Sequence, residues 1–228
     1  MQPISPVVKN LLILNVLMFV VTWFFGNQGL DISAYLAVYY IDSPFFKMWQ
    51  PISYMFMHGS LMHIFFNMFA LFSFGSILEY HWGGKRFLNF YLLTGLGALV
   101  LQWLVQAYEV AQITGSAINS VAAIEASGSA ELFSIYGTPM VGASGAIFGI
   151  LVAFAMLYPN VEMYIMFIPV PVKAKYIIPV YIVIELFLGL GKIQGDSVAH
   201  FAHLGGALIG YFLVKRWRNN NTYYDYYE

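Results

Sequence analysis

A serine set between glycines, in Gly142-Ala143-Ser144-Gly145-Ala146-Ile147-Phe148-Gly149, opens an otherwise apolar stretch. A hydroxyl in that place is a helix cap or a nucleophile, and its own spacing does not choose between them. A serine attacks well only when a neighbouring base takes its proton, and the tetrahedral intermediate that follows needs preorganised donors for its oxyanion. Two other apolar segments carry groups of those kinds: His63 with Asn67, four residues apart and so on one helix face, and His200 with His203. Cysteine is absent from the chain, which removes thiol nucleophiles, disulfides and thiolate metal sites. The chemistry these residue types point to is acyl transfer through a serine, carried out inside a membrane.

The membrane follows from composition. Of 228 residues, 60% are hydrophobic and 9% charged, far from the balance of a soluble domain, so the expected class is an all-α polytopic membrane protein. The net charge of -1 comes from sparse acids and sparse bases, which gives nucleic acid no electrostatic footprint to bind. Its expected surroundings are a lipid bilayer. The apolar run from Leu11 to Phe25 follows one early lysine, Lys9, yet has no small-x-small cleavage site after it, and it reads as an uncleaved first span.

Six apolar segments are expected to position the polar groups, over about 7–25, 60–80, 87–107, 142–158, 176–190 and 197–217. Between the first two, residues 31–50 are too broken to span and carry Tyr35, Tyr39, Tyr40, Phe45, Phe46 and Trp49 as an interfacial loop. Residues 112–138, rich in Gly, Ser and Ala, read as the longest loop, exposed to solvent. Pro169 and Pro171 argue against a span over 163–172, which is placed at the interface, while Pro179 is tolerable in the first turn of the fifth segment. No repeat and no second domain is evident: a single membrane domain is expected over 1–228, with its core at about 7–217 and a polar tail at 218–228.

Six spans put both termini on one side. Lys9, Lys85, Arg86, Lys173, Lys175, Lys215, Arg216 and Arg218 fall there, against Lys47 and Lys192 opposite, so the termini are expected to be cytoplasmic. Spans two, four and six then all begin at the outer face, and His63, Asn67, Ser144, His200 and His203 share one layer. Polar groups at that depth are costly in lipid and are expected to face the bundle interior or a water-filled cavity. A single Ser or Asn in a membrane helix is ordinarily an interhelical hydrogen-bond partner; five polar groups at one level are a different matter.

His203 is the better base of the two histidines. Gly206 and Gly210, three and seven residues beyond it, form a small-residue ridge, matched in the fourth segment by Gly145 and Gly149, and such faces let backbones approach closely. His63 and Asn67, with the backbone N–H groups at the start of the fourth segment, are the expected oxyanion donors, and Gly142 would let the backbone come near. Glu185 is the one acidic residue deep in a span; its expected depth near the bilayer centre, well below Ser144, gives it a structural or protonated role. Asp196 belongs to the outer loop. The expected machinery is therefore a Ser144/His203 dyad.

The motifs together resemble those of the rhomboid intramembrane serine proteases, from about Trp49 to Gly210: His58-Gly59-Ser60-Leu61-Met62-His63-Ile64-Phe65-Phe66-Asn67, then Gly75, Glu79 and Gly83 at four-residue steps, then Gly142-Ala143-Ser144-Gly145, then His203-Leu204-Gly205-Gly206 with Gly210. The soluble-hydrolase elbow is a different pattern, wanting glycine where Ala146 stands. The resemblance implies a six-helix bundle with a water-filled cavity open to the outer face, Ser144 as nucleophile, His203 as general base, and His63 with Asn67 stabilising the oxyanion. It implies single-pass transmembrane substrates cut near their outer end, and neither metal nor cofactor. The expected location is a bacterial cytoplasmic membrane. One departure stands out: the family often has Trp-Arg in the first outer loop, and here Trp49-Gln50 occurs, which bears on how that loop is anchored. Three rival readings stand beside it: a non-catalytic relative that binds membrane helices, a metal- or haem-binding protein using His58, His63, His200 and His203, and a transporter, for which no clear inverted repeat or pair of broken helices is seen beyond Pro179. The metalloprotease pattern HExxH is absent.

Overall fold

The computed structural model of the chain describes residues 4–165, 168–191 and 199–220. Lys192, Asp196, the expected start of the sixth segment at Ser197 and most of the polar tail lie outside the described residues. Helix α1 spans Pro6–Gly26, and a short α2 follows at Ile32–Leu36. Next come α3 at Gln50–Ser53 and a 3-10 turn at Tyr54–Phe56. The second membrane segment is α4 (Leu61–Ala70), a π-helical turn (Leu71–Gly75) and α5 (Ser76–Trp82) in one continuous rod. Then come α6 (Gly84–Thr114), α7 (Val121–Ser127), α8 (Ala130–Gly137) and α9 (Ser144–Leu157). An antiparallel ribbon of β1 (Glu162–Ile165) and β2 (Ile168–Lys173) leads into α10 (Ala174–Gly191) and α11 (His200–Asn220). The protein is a helical polytopic membrane fold: α1, the α4–α5 rod, α6 and α10 are each long and apolar enough to cross a bilayer.

Helix α9 is shorter, 14 residues, and is the centre of the bundle, with Gly145 to Phe154 buried without a break. A helix apolar on every side belongs inside other helices, and α9 packs chiefly on α6 and α11. Small residues set those spacings. A methyl group built on Gly206 would overlap the Gly145 carbonyl, one on Gly210 would meet the Gly149 backbone, and one on Gly149 would run into Thr94. The lipid-facing sides show the opposite character, with Ile13, Leu17, Trp23, Phe65, Phe69, Val183 and Phe187 exposed.

Several expectations about the connecting segments need correction. Residues 112–138 are mostly helical: α6 runs on to Thr114, Ser120 and Ser129 cap α7 and α8 by accepting from Ala123 N and Leu132 N, and Ile124, Leu132, Ile135 and Tyr136 close on Val110 and Tyr40 as a second small core. That layer is tied to the loop after α2. Asp42 Oδ2 accepts from the Tyr136 hydroxyl and from Asn119 N, both at 2.8 Å, and Ser43 Oγ donates to Tyr136 O at 2.6 Å. Burial, with the Asp42 carboxylate adding to it, pushes the Tyr136 hydroxyl up to about 12, so it stays protonated as the donor. The stretch after α9 is a two-stranded ribbon that accepts prolines because each of its strands has a free edge. Helix α10 starts two residues earlier than expected, so Pro179 sits beyond its first turn and removes one backbone hydrogen bond there.

Gln50 anchors the loop between α2 and α3. It is fully buried; Nε2 donates to Tyr35 O and Phe45 O at 3.4 and 3.2 Å, and Oε1 accepts from Lys47 N at 3.0 Å. An uncharged side chain with both kinds of hydrogen-bonding atom thus gathers three points of one loop. At the opposite end, Glu79 on α5 receives the start of α1: Oε2 accepts from Ser5 Oγ at 2.5 Å and Val8 N at 2.8 Å, and Oε1 from Val7 N at 2.9 Å. This carboxylate satisfies helix N–H groups that have no intrahelical partner. Glu79→Ala leaves three donors without their acceptor and is expected to lower stability by about 2 to 3 kcal/mol, read as an earlier unfolding midpoint of the solubilised protein, with Glu79→Gln intermediate. Gly206→Val is expected to be more severe, because neither backbone at the α9–α11 crossing can give way; size-exclusion chromatography would show aggregated chain instead of the wild-type peak.

Candidate active site

Three helices begin in one layer and bring their first turns together: α4, α9 and α11. Ser60 caps α4, its Oγ accepting from His63 N at 3.2 Å, and this fixes the turn that carries His63. Asn67 lies one turn on, on the same face, and is buried. Before α9 the backbone turns sharply at Gly142, where φ is +132°. Only glycine adopts that conformation freely. Gly142 N donates to Tyr54 O at 2.9 Å, and the His63 imidazole lies where a side chain at position 142 would project. Ser144 is the first residue of α9 and remains partly exposed.

The hydroxyl of Ser144 meets the imidazole of His203, with Oγ and Nε2 2.8 Å apart. The distance and partners suit an O–H donating to an unprotonated ring nitrogen. Phe148, one turn below Ser144, stacks on that imidazole with centroids 4.3 Å apart and planes 9° from parallel, so α9 supplies both the hydroxyl and the surface that holds the ring. Phe148 in turn packs on Tyr181 of α10. Among the described residues, Asn67 Nδ2 is a buried donor without a hydrogen-bond partner. Buried donors of that kind are uncommon and call for a reason.

The expected depth of Glu185 was wrong. Its Oε2 lies 2.8 Å from His203 Nδ1 and 2.7 Å from His200 Nδ1, buried together with both rings. The reason is geometric. Helix α10 ends and α11 begins at the same end of the bundle, and Glu185 is six residues from the end of α10 while His203 is three from the start of α11. At 1.5 Å per residue these depths differ by about one helical turn, which the side chains span.

Sequence reasoning grouped Ser144, His203, His63, Asn67 and Gly142, of which the structure joins Ser144 with His203 and Gly142 with His63; it set Glu185 aside and gave no role to Phe148. The spacing of Phe148 from Ser144, four residues, was the available clue. Two surface cavities, about 410 Å³ between Trp82 and Trp217 and about 570 Å³ between Trp23 and Leu61, lie elsewhere; neither is lined by Ser144 or His203.

As to metals, Glu185, His200 and His203 offer ligand atoms within 4.8 Å of one another. The 2.7 and 2.8 Å separations are those of hydrogen bonds, whereas ligands of a tetrahedral zinc ion at about 2.0 to 2.1 Å stand roughly 3.3 Å apart. His58 and His63 form a separate edge-to-face pair with centroids 5.0 Å apart.

Comparison with known proteins agrees with the motif resemblance. Rhomboid protein 1, mitochondrial, of Saccharomyces cerevisiae is 29% identical over 157 residues, which are 68% of this chain and 38% of that protein. Rhomboid-like protein 11, chloroplastic, of Arabidopsis thaliana is 29% identical over 210 residues, 90% of this chain and 62% of its own. Rhomboid protease AarA of Providencia stuartii is 33% identical over 173 residues, 70% and 52% respectively. The chain therefore spans less than two thirds of the length of these relatives. The Rhomboid domain model matches residues 46–218, from the loop before α3 to the last turns of α11, and the chain belongs to the rhomboid family of integral membrane proteins.

Proposed function

We propose that this protein is an intramembrane serine endopeptidase that cuts single-pass transmembrane helices near their extracytoplasmic end. The observation that carries the reading is the 2.8 Å contact between Ser144 Oγ and His203 Nε2 at the mouth of the bundle. A second support is the Providencia stuartii relative, which is named a protease. The distribution of lysine and arginine favours cytoplasmic termini, so the site opens to the other side, and a bacterial cytoplasmic membrane is the proposed location.

The reaction follows from the groups present. His203 Nε2 takes the proton of the Ser144 hydroxyl as the oxygen attacks the scissile carbonyl. The negative charge that develops on the carbonyl oxygen is assigned to three donors in this reading: the His63 ring, the unpartnered Asn67 Nδ2 and the backbone N–H of Ser144 at the start of α9. The helix N-terminus adds a favourable partial charge. His203 then passes its proton to the leaving amine, and water releases the acyl group by the same steps. Gly142 serves by having no side chain, which keeps the His63 ring against the Ser144 turn. No cofactor and no metal takes part in this scheme. A single-pass helix suits as substrate because Ser144, the first residue of α9, is partly exposed, so that an unwound end can reach it extended.

A fluorophosphonate probe on the solubilised chain is expected to label Ser144 and to lose that label in Ser144→Ala and His203→Ala, with both variants inactive on a model transmembrane substrate and folded as wild type. Cleavage by Ser144→Ala at the wild-type rate would overturn the reading. For Asn67→Ala the expected outcome is partial loss, about a hundredfold to a thousandfold in turnover, the usual cost of one oxyanion donor.

A further inference from the structure

Glu185 has no part in a two-residue mechanism, yet its carboxylate oxygen is the point on which both histidines of α11 converge. A carboxylate accepts only, so each Nδ1 carries a hydrogen and donates it to Oε2. For His203 this leaves Nε2 with its lone pair directed at Ser144 Oγ, the tautomer that a general base requires. For His200 the same contact holds the carboxylate from its other side, so Oε2 sits between two donors and cannot swing off His203. Phe148 keeps the ring plane fixed while this bond fixes its rotation. Three helices, α9, α10 and α11, meet in the chain Ser144–His203–Glu185–His200.

We infer that Glu185 is a positioning residue of the reaction, which locks His203 as the Nδ1–H tautomer and stabilises the imidazolium formed when Nε2 takes the serine proton, and that His200 holds Glu185 in place. The inference rests on the serine-protease reading. Proton bookkeeping is simple: one proton moves from Ser144 Oγ to His203 Nε2 and later to the leaving amine, while the Nδ1 proton stays on His203 and Glu185 takes none. A plain bridge between α10 and α11 would use the same hydrogen bonds for stability alone, and the two roles separate in their effect on rate and on the ring nitrogens.

The test uses the full chain reconstituted in lipid with 15N-labelled histidine. The wild-type His203 is expected to show a protonated Nδ1 and an unprotonated Nε2, and Glu185→Gln, whose amide can also donate, is expected to lose that pattern. In the same variant kcat on a transmembrane substrate should fall by about a thousandfold or more, with KM within about twofold and Ser144 labelling slowed in parallel, since losing the corresponding carboxylate of a serine triad costs about ten-thousandfold. Glu185→Asp is expected to recover part of kcat, and His200→Gln to lose about tenfold. Glu185→Gln with kcat within about threefold of wild type, or a wild-type His203 protonated on Nε2, overturns the inference; the second measurement decides even if Glu185→Gln does not fold. Retained cleavage by Ser144→Ala would instead bring down the protease reading, and the two failures are thereby distinguished.

Discussion

The constraint on which the rest depends is the crossing of α9 and α11. Backbone meets backbone at Gly145 with Gly206 and at Gly149 with Gly210, so that even one added methyl group has no room. In a membrane there is little hydrophobic force to press helices together, and close van der Waals contact between small residues takes its place. This crossing puts Ser144 and His203 within hydrogen-bonding distance while each stays on its own rigid helix. The geometry of the site is therefore a property of the packing, and it needs no flexible loop to assemble it.

A second theme is the treatment of polar groups. Buried Glu79, Gln50, Thr94, His200, His203 and Glu185 each find hydrogen-bond partners, as groups away from water must. Two of them act as clamps: Gln50 gathers the loop between α2 and α3, and Glu79 receives the start of α1. The Asn67 amide is the contrast, a buried donor left over on the face that carries His63.

Much of this was legible in the sequence, for identifiable reasons. Apolar runs longer than a bilayer is thick mark α1, α6 and the α4–α5 rod directly, and the glycine spacing in the fourth and sixth segments implies the crossing that pairs Ser144 with His203. What was not legible depends on where a helix begins. Glu185 was placed at the wrong level because its depth was judged from the middle of its span and not from the end of the bundle where α10 stops and α11 starts. The 112–138 stretch hid two helices because its apolar residues, Ile124, Leu132 and Ile135, are spread thinly among Gly and Ser, and their partners Tyr40 and Val110 are distant in the chain. The β ribbon is a pairing between neighbours that prolines in the sequence argue against, and only the free edge of β2 makes it permissible.

The π-helical turn at Leu71–Gly75 has a consequence for the rod that contains it. One extra residue in a turn rotates everything after it by about 100° relative to an unbroken α-helix. Before the turn the rod sets His63 against Gly142, just ahead of α9; the last residue of the turn, Gly75, fits between Val8 and Phe87, and beyond it Glu79 reaches the start of α1. A straight helix of the same sequence has a single phase and could satisfy one of those two neighbours, not both. The bulge works as a phase adapter, letting one membrane-crossing rod serve a chemical face at one end and a structural one at the other.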